Sequence, residues 1–200
     1  MNDQAYTTKV SSDLMKRGFD IIASASALIF FLPLFIIIGL CIKLLSPGPI
    51  LFWSDRVGRD NKIFAMPKFR SMFTNTPSIA TDLMKNPEYW ITPLGAFLRK
   101  TSLDELPQLW SILKGDMSAV GPRPALYNQY ELIELRTKVG IDALRPGLTG
   151  WAQVNGRDDL SVEKKVALDH HYLVNKNFKF DILIIWLTLI KVIKSDGVSH

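Results

Sequence analysis

The sequence predicts an α+β protein that is mostly helical, with a small β element and an N-terminal membrane helix that is either re-entrant or spanning. One long apolar block near the N-terminus indicates the membrane helix, and several amphipathic segments indicate the other helices. Two short apolar runs around a polar turn indicate the β element. A length of 200 residues is enough for one domain with a core and scarcely enough for two.

The apolar block covers residues 21–42, which are 22 consecutive uncharged residues. At about 1.5 Å of rise per residue, a helix of this length crosses a hydrocarbon core of about 30 Å. The block starts too late and is too long for a signal peptide, and no small-x-small cleavage site follows it. We therefore predict a tail over residues 1–15 and a retained membrane segment over residues 16–46.

The topology of this segment stays open at the level of the sequence. Pro33 lies in the middle, where a proline removes a hydrogen bond and kinks a helix. Lys16 and Arg17 precede the block and Lys43 follows it, so the positive-inside rule gives no orientation. A spanning helix is the usual outcome for such a block. A helix that breaks at Pro33 and returns to the same face accounts for both observations.

Residues 178–194 form a second apolar stretch near the C-terminus. Asp181 and Lys191 interrupt it, so its uncharged part is too short to cross a bilayer. Trp186 and the flanking lysines suit a helix that lies in the membrane interface. An ordinary core helix fits the same pattern equally well.

The segments between these two stretches give one β-hairpin and four helices. Residues 50–53 and 62–69 are the two strands, and Pro67 is expected to restrict the second strand to an edge. The predicted helices cover residues 94–100, 103–114, 126–139 and 161–174. Residues 145–157, rich in glycine and proline, are predicted to be a loop.

The charge balance is basic, and the cysteine and histidine content excludes several kinds of site. Lys and Arg number 24 against 19 Asp and Glu, a net charge of +5, which suits phosphates, anionic lipid or nucleic acid but also a merely soluble surface. Cys41 is the only cysteine, which excludes a disulfide within the chain and cysteine-based zinc sites. His170 and His171 are adjacent and His200 is the last residue, so no histidine metal site is expected.

The predicted helix over residues 103–114 has an apolar face and an acidic face. The acidic face carries Asp104, Glu105 and Gln108. Ser102 and Glu105 form a capping box, although Asp104 as the N-cap would suit the following proline better. The apolar face carries Leu103, Leu106, Leu109, Trp110 and Leu113.

The same two carboxylates also suit phosphoryl transfer, because Arg99 and Lys100 precede them closely. One acid can attack phosphorus while the other binds Mg²⁺ or handles a proton. Helix capping and catalysis both remain open on these residues alone.

Two further segments suit phosphate binding. Arg123 lies between two prolines, and such a restricted guanidinium suits bidentate binding of phosphate, although a stiff turn with a solvated arginine explains it too. The loop over residues 145–157 combines three glycines with Arg145, Gln153 and Arg157, so its backbone amides can approach phosphate oxygens. The common nucleotide motifs G-x-x-x-x-G-K-[ST] and G-x-G-x-x-G do not occur in the sequence, and neither does Asp-x-Asp.

Three segments in this order resemble the monotopic phosphoglycosyl transferases, which are bacterial sugar transferases. They are KFRSM at 68–72, LRKTSLDELPQLWSILKGDMSAVGPRP at 98–124 and RPGLTGWAQVNGR at 145–157. The resemblance covers about residues 16–199 and corresponds to the minimal catalytic form. It implies a catalytic region over residues 47–200 on the cytoplasmic face of the bacterial inner membrane, ending in an interfacial helix.

The resemblance also implies a reaction. Asp104 is expected to attack the β-phosphate of a UDP-sugar, releasing UMP and forming a covalent aspartyl-phosphosugar. Undecaprenyl phosphate would then attack this intermediate to give the polyprenyl diphosphosugar that begins the assembly of a glycan. Glu105 would support the second step, and Asp104 and Glu105 together would hold Mg²⁺.

The resemblance assigns other positions less sharply. Arg99 matches a basic residue expected near the lipid phosphate, and Arg123 one expected near the nucleotide. The family's re-entrant helix breaks at a Ser-Pro pair, which corresponds here to Leu32-Pro33, so Pro33 is the expected membrane break. Other motif positions expected to bind substrate or phosphate are Lys68, Arg145, Gln153 and Arg157.

The expected partners are a UDP-sugar, undecaprenyl phosphate and membrane lipid, and a homodimer is allowed. The alternative function is a non-catalytic membrane-anchored scaffold that binds anionic lipid through the same basic residues. Nucleic acid is not expected as a partner, because the basic residues are scattered and no nucleic-acid motif occurs in the sequence. Nothing in the sequence selects the sugar or the pathway.

Overall fold

The computed structural model describes residues 3–76, 86–156 and 160–194. It confirms a mixed, mostly helical architecture with small sheets. Short 3₁₀ turns cover Arg59–Asn61, Pro87–Trp90, Leu103–Glu105 and Ile141–Ala143. The main elements, in chain order, are α1 (Asp3–Phe30), α2 (Leu32–Leu45), β1 (Leu51–Val57), β2 (Ile63–Phe69), α3 (Pro93–Lys100), α4 (Gln108–Lys114), β3 (Ser118–Val120), α5 (Tyr130–Lys138), β4 (Gly147–Thr149), α6 (Trp151–Val154), α7 (Val162–Asn175) and α8 (Phe178–Lys194).

Helices α1 and α2 meet at Phe31 with a bend of 60°. Pro33 is in the first turn of α2, and its missing N–H cannot bond the carbonyl of Ile29 at the end of α1. None of the described helices is by itself long and apolar enough to cross a bilayer, and the bent pair meets that test only when its two helices are taken together. A spanning N-terminal helix is therefore not confirmed. Helix α1 also begins at Asp3, inside the segment expected to be a tail.

Polar contacts attach the middle of α1 to the rest of the molecule. Asp20 accepts a hydrogen bond from the backbone N–H of Ala119 in β3 at 2.9 Å. Lys16 forms an ion pair with Asp181 of α8 at 2.6 Å, and the Tyr172 hydroxyl of α7 donates to the same carboxylate at 2.7 Å. Because buried polar groups need such partners, these contacts fix where α1 lies relative to β3 and α8.

The predicted hairpin is confirmed: β1 extends four residues beyond its predicted end, to Val57, and β2 lies within its predicted range. Strands β1 and β2 pair antiparallel from Leu51 opposite Phe69 to Val57 opposite Ile63. Pro67 lies opposite Trp53, and because the sheet has two strands both of them are edges, as the proline requires.

A second sheet was not predicted. Strands β3 and β4 pair in parallel, with Ser118 opposite Gly147 and Val120 opposite Thr149. The prediction of a loop over residues 145–157 was therefore wrong at β4 and at the single turn of α6. Strands of three residues show no alternation that distinguishes them from a loop.

The other helices match the predictions in part. Helices α3 and α7 lie close to their predicted ranges, and α5 starts at Tyr130, later than expected. The predicted helix over residues 103–114 is divided into a 3₁₀ turn and α4, because Pro107 takes the N-cap position of α4.

The capping box of that segment was wrong, and its polar face is largely buried. Ser102 has a left-handed backbone with φ of 56°, and its side chain makes no capping hydrogen bond within the described part of the chain. Asp104 and Gln108 are buried, whereas Trp110 is 53% exposed. Asp104 and Gln108 therefore point into the protein and are not part of a solvated helix surface.

Helices α2 and α8 expose much of their apolar surface. In α8, Ile184 and Asp181 are buried, and the opposite face is open. This distribution excludes a fully buried core helix for α8, and large apolar surfaces of this kind usually mark a contact with membrane or protein. The exposed apolar side chains are Leu32, Ile36, Ile37, Leu40, Leu44 and Leu45 in α2 and Ile182, Leu183, Trp186, Leu189 and Val192 in α8.

Gly147→Ala tests the close packing of the second sheet. A Cβ at this position would lie 2.1 Å from the Gly121 nitrogen and 2.3 Å from the Thr149 oxygen, so the backbone would have to move. We expect a loss of at least about 3 kcal/mol in unfolding free energy, measured by thermal melting in detergent. The control is Gly18→Ala in α1, where a Cβ would meet no heavy atom of the described residues within 4 Å apart from the backbone of its own helix; it should be neutral or stabilising. Equal melting of both variants would contradict the described register.

Candidate active site

Asp104 and Glu105 lie in the 3₁₀ turn between α3 and α4. The left-handed backbone of Ser102 reverses the chain after α3 and starts this turn. Leu103 and Leu106 pack on both sides of the pair into a cluster that contains Ile38 and Ile42 of α2 and Phe69 and Leu98. The turn is thus anchored by leucines, while its two carboxylates point toward polar neighbours.

Glu105 is held by two cations from different parts of the fold. Its Oε1 lies 2.8 Å from Lys68 Nζ and 3.2 Å from an Arg123 Nη. Lys68 comes from β2, and Arg123 comes from the segment that follows β3. The Lys68 and Glu105 side chains are 17% and 12% exposed, so solvent screens their contact only partly.

Asp104 is 7% exposed, and this burial is the main determinant of its protonation. Burial raises the pKa of Asp104 above its ordinary value; the charge of Lys68 lowers the pKa, Glu105 raises it, and Arg99 and Arg123 lower it. The carboxylate is therefore poorly solvated while three cations lie close enough to act on it. A site of this kind suits negatively charged groups such as phosphates.

The segment that carries Arg123 is held in place by hydrogen bonds to its backbone carbonyls. Prolines 122 and 124 have no N–H, so the segment depends on its carbonyls for hydrogen bonds. Four consecutive carbonyls accept bonds from outside the segment, two of them from arginine side chains. The donors are Gly147 N to Pro122 O at 2.8 Å, Arg136 Nη1 to Arg123 O at 2.8 Å, Arg56 Nη1 to Pro124 O at 3.2 Å and Val57 N to Ala125 O at 2.9 Å.

The structure thus brings together five of the residues predicted from the sequence, which are Lys68, Arg99, Asp104, Glu105 and Arg123. It adds Arg56 and Arg136, which the sequence analysis missed. Neither lies in a motif, and each acts on a carbonyl that is distant along the chain. No local pattern in the sequence indicates such a contact.

Arg145 and Gln153 occupy other positions. Arg145 donates Nε to the Gly115 carbonyl at 2.9 Å, at the C-terminal end of α4, and Arg17 donates to the neighbouring carbonyls of that helix. Burial and then the charge of Arg17 lower the pKa of Arg145. Gln153 is 6% exposed, and its amide atoms have no hydrogen-bond partner among the described residues. The binding roles of both stay predictions, and Arg157 lies outside the described residues.

The pair of carboxylates is compatible with Mg²⁺. Within residues 3–76, 86–156 and 160–194, no group of three or more His, Cys, Asp or Glu residues is placed to hold a metal ion. Mg²⁺ bound with a phosphorylated substrate typically takes one or two protein carboxylates and completes its octahedron with water and phosphate oxygens. Asp104 and Glu105 supply that number of carboxylates, so the donor set fits a substrate-assisted site.

The chain is similar to known sugar transferases along nearly its whole length. An exopolysaccharide production protein ExoY from Sinorhizobium fredii is 37% identical, covering 92% of this chain and 88% of that protein. A UDP-glucose:undecaprenyl-phosphate glucose-1-phosphate transferase from Escherichia coli is 42% identical, covering 93% of this chain and 42% of that protein. A UDP-N-acetylgalactosamine-undecaprenyl-phosphate N-acetylgalactosaminephosphotransferase from Aeromonas hydrophila is 36% identical, covering 92% of this chain and 44% of that protein.

The chain therefore spans less than half the length of two of these relatives and most of the third. The model of the family described as bacterial sugar transferase matches residues 11–195. That range contains most of α1 and all of α2, the hairpin, the acidic pair and α8. This chain belongs to the bacterial sugar transferase family.

Proposed function

We propose that this protein transfers a sugar-1-phosphate from a UDP-sugar to undecaprenyl phosphate, giving undecaprenyl-diphosphate-sugar and UMP. The observation that carries the proposal is the buried Asp104 next to Glu105, within reach of the charges of Lys68, Arg99 and Arg123. The names of the Escherichia coli and Aeromonas hydrophila relatives give the same two substrate classes.

In the first step, an Asp104 oxygen attacks the β-phosphorus of the donor. The bond between that phosphorus and the bridging oxygen breaks, and UMP leaves with the electron pair, so the phosphosugar is bonded to the carboxylate. Lys68, Arg99 and Arg123 offset the charge on the phosphoryl oxygens. Burial strengthens these interactions because little water screens them.

In the second step, a phosphate oxygen of undecaprenyl phosphate attacks the same phosphorus, and the bond to Asp104 breaks. The carboxylate is regenerated and the polyprenyl diphosphosugar is released. Asp104 and Glu105 are the residues that would hold Mg²⁺, and the ion, when bound, neutralises charge on phosphoryl oxygens. Lys68 and Arg123 fix the position of Glu105 through their contacts with its Oε1.

We further infer that α1 and α2 form a re-entrant membrane segment and that the site faces the cytoplasm. The bend of 60° and the cations on both flanks support a return to the same side. Ile38 and Ile42 of α2 lie in one cluster with the leucines that flank Asp104. The reactive carboxylate then lies close to the membrane surface, where an acceptor with a polyprenyl chain remains.

Trapping with donor alone tests the covalent step. Incubation with a panel of UDP-sugars and Mg²⁺ should release about one UMP per protein and add one phosphosugar mass to the peptide that contains residue 104. Asp104→Asn should abolish both signals and lower turnover by at least about 10³-fold. Asp60→Asn is the matched control, since this acid lies on the exposed hairpin turn and asparagine tolerates its left-handed backbone. Full turnover without any adduct would overturn the covalent mechanism, and no UMP release would favour the lipid-binding scaffold.

The pH profile tests the electrostatics of Asp104. Protonation removes the nucleophile, so activity falls as pH decreases through the pKa of Asp104, and burial places that fall at a higher pH than for a solvated aspartate. Lys68→Met removes the largest influence that lowers this pKa, and the acid limb of kcat/KM for UMP release should therefore move to higher pH. Lys62→Met, at an exposed position in the same hairpin, should leave the limb unchanged. An unmoved limb in Lys68→Met would contradict the assignment.

Cysteine labelling tests the topology. In a Cys41→Ser background, Ala5→Cys and Tyr127→Cys are treated in intact cells with an impermeant maleimide. A re-entrant segment keeps both positions inside, so both should react only after lysis. Reaction of residue 5 from outside with residue 127 protected would establish a spanning helix instead.

A further inference from the structure

A buried ion pair lies directly behind the segment that carries Arg123. Arg136 of α5 donates Nε and Nη2 to one oxygen of Asp169 in α7, at 3.0 and 2.6 Å. The Asp169 side chain is 1% exposed and that of Arg136 is 11% exposed. The remaining terminal nitrogen of Arg136, Nη1, donates to the backbone carbonyl of Arg123 at 2.8 Å. One planar guanidinium thus joins two helices to a residue of the candidate site.

The orientation of Arg123 depends on such a support. Its neighbours are prolines, so no adjacent N–H can hold this stretch, and its own carbonyl is bonded by Arg136. The Arg123 guanidinium lies 3.2 Å from Glu105 and its charge acts on Asp104. Because charge–charge energies fall with distance and catalysis is sensitive to displacements near 1 Å, a small shift of this backbone would weaken both effects.

We propose that Arg136 and Asp169 are positioning residues for Arg123, and that they act on the reaction of the UDP-sugar through it. This assignment rests on the proposed function. In the proposed reaction Arg136 touches no reacting atom. Its planar guanidinium holds the Arg123 carbonyl in place, and Asp169 keeps the guanidinium from rotating. The pair therefore affects the donor step, in which Arg123 faces the phosphates, more than the affinity for the lipid acceptor.

The contacts themselves argue against a purely stabilising pair. Removing two charges from water is costly, and apolar residues of similar volume often stabilise a fold as well or better. Burial raises the pKa of Asp169, whereas the charge and hydrogen bonds of Arg136 lower it. The contact with Arg136 therefore has to offset the cost of removing the Asp169 carboxylate from water. A pair that only joined α5 to α7 would not require the third nitrogen of Arg136 to bond the carbonyl of a site residue.

A double-mutant cycle separates positioning from stability. Arg136→Lys keeps a cation next to Asp169, but one ammonium cannot replace the fork that also reaches the Arg123 carbonyl. In the wild-type background we expect kcat/KM for the UDP-sugar to fall roughly 10- to 100-fold. In an Arg123→Gln background the same substitution should change kcat/KM by less than about twofold, because the residue it acts through is already gone. The Kd for undecaprenyl phosphate should stay unchanged.

The four proteins of this cycle are also prepared with Asp104→Asn, which prevents turnover, and the Kd for the UDP-sugar is measured for each of them. Asp169→Asn is the second variant, which keeps the shape of the side chain and should repeat the coupled pattern even if Arg136→Lys folds poorly. Lys138→Met is the control, since it breaks the exposed Lys138–Glu134 pair on the same helix α5 and should leave both quantities unchanged. Thermal melting of every variant identifies losses that come from unfolding.

The outcomes distinguish the two levels of the proposal. Coupling in both kcat/KM and Kd supports the positioning role. An equal loss from Arg136→Lys with and without Arg123, in a wild-type protein that releases UMP, overturns this role and leaves the proposed function intact. A wild-type protein that neither binds nor cleaves any UDP-sugar overturns the proposed function and this inference with it.

Discussion

The candidate site depends on the burial of one carboxylate among cations that come from distant parts of the chain. Asp104 is 7% exposed, and without Lys68, Arg99 and Arg123 nearby its ionised form would be costly. Those cations are supplied by β2, by α3 and by the segment after β3. The hairpin, the second sheet and the turn at Ser102 therefore have to be in register for these cations to lie close to the buried carboxylate.

The bend between α1 and α2 also helps to position the acidic turn. Ile38 and Ile42 of α2 lie in one cluster with Leu98, Leu103 and Leu106, which surround the acidic turn. The middle of α1 is bonded separately to the protein, through Asp20 to β3 and through Lys16 to α8. A straight α1–α2 helix could not make both sets of contacts, so the break next to Pro33 contributes to the geometry of the site.

The sequence predicted the parts of this arrangement that are local in the chain. The hairpin followed from two apolar runs, and the five clustered residues lie in contiguous motifs. It missed the short parallel sheet, because three-residue strands carry no period, and it left the burial of Asp104 open, because helical patterning shows which residues share a face and not which face meets the core. The contact of Arg136 with Asp169 joins residues 33 apart without a motif, so only the folded chain reveals it.

In the proposed mechanism, the net charge at residue 104 is the same before and after the first displacement. One fixed set of cations can therefore serve both displacements. Before the first step Asp104 carries one negative charge, and after it the aspartyl-phosphosugar carries one negative charge on its phosphoryl group. UMP leaves with the charge that the donor brought, and undecaprenyl phosphate brings an equivalent charge for the second step. The cations around residue 104 therefore meet the same net charge in the free and the covalent enzyme. Rigid supports such as the proline-flanked Arg123 and its backbone bonds are then an advantage, because the site has nothing to reorganise between steps.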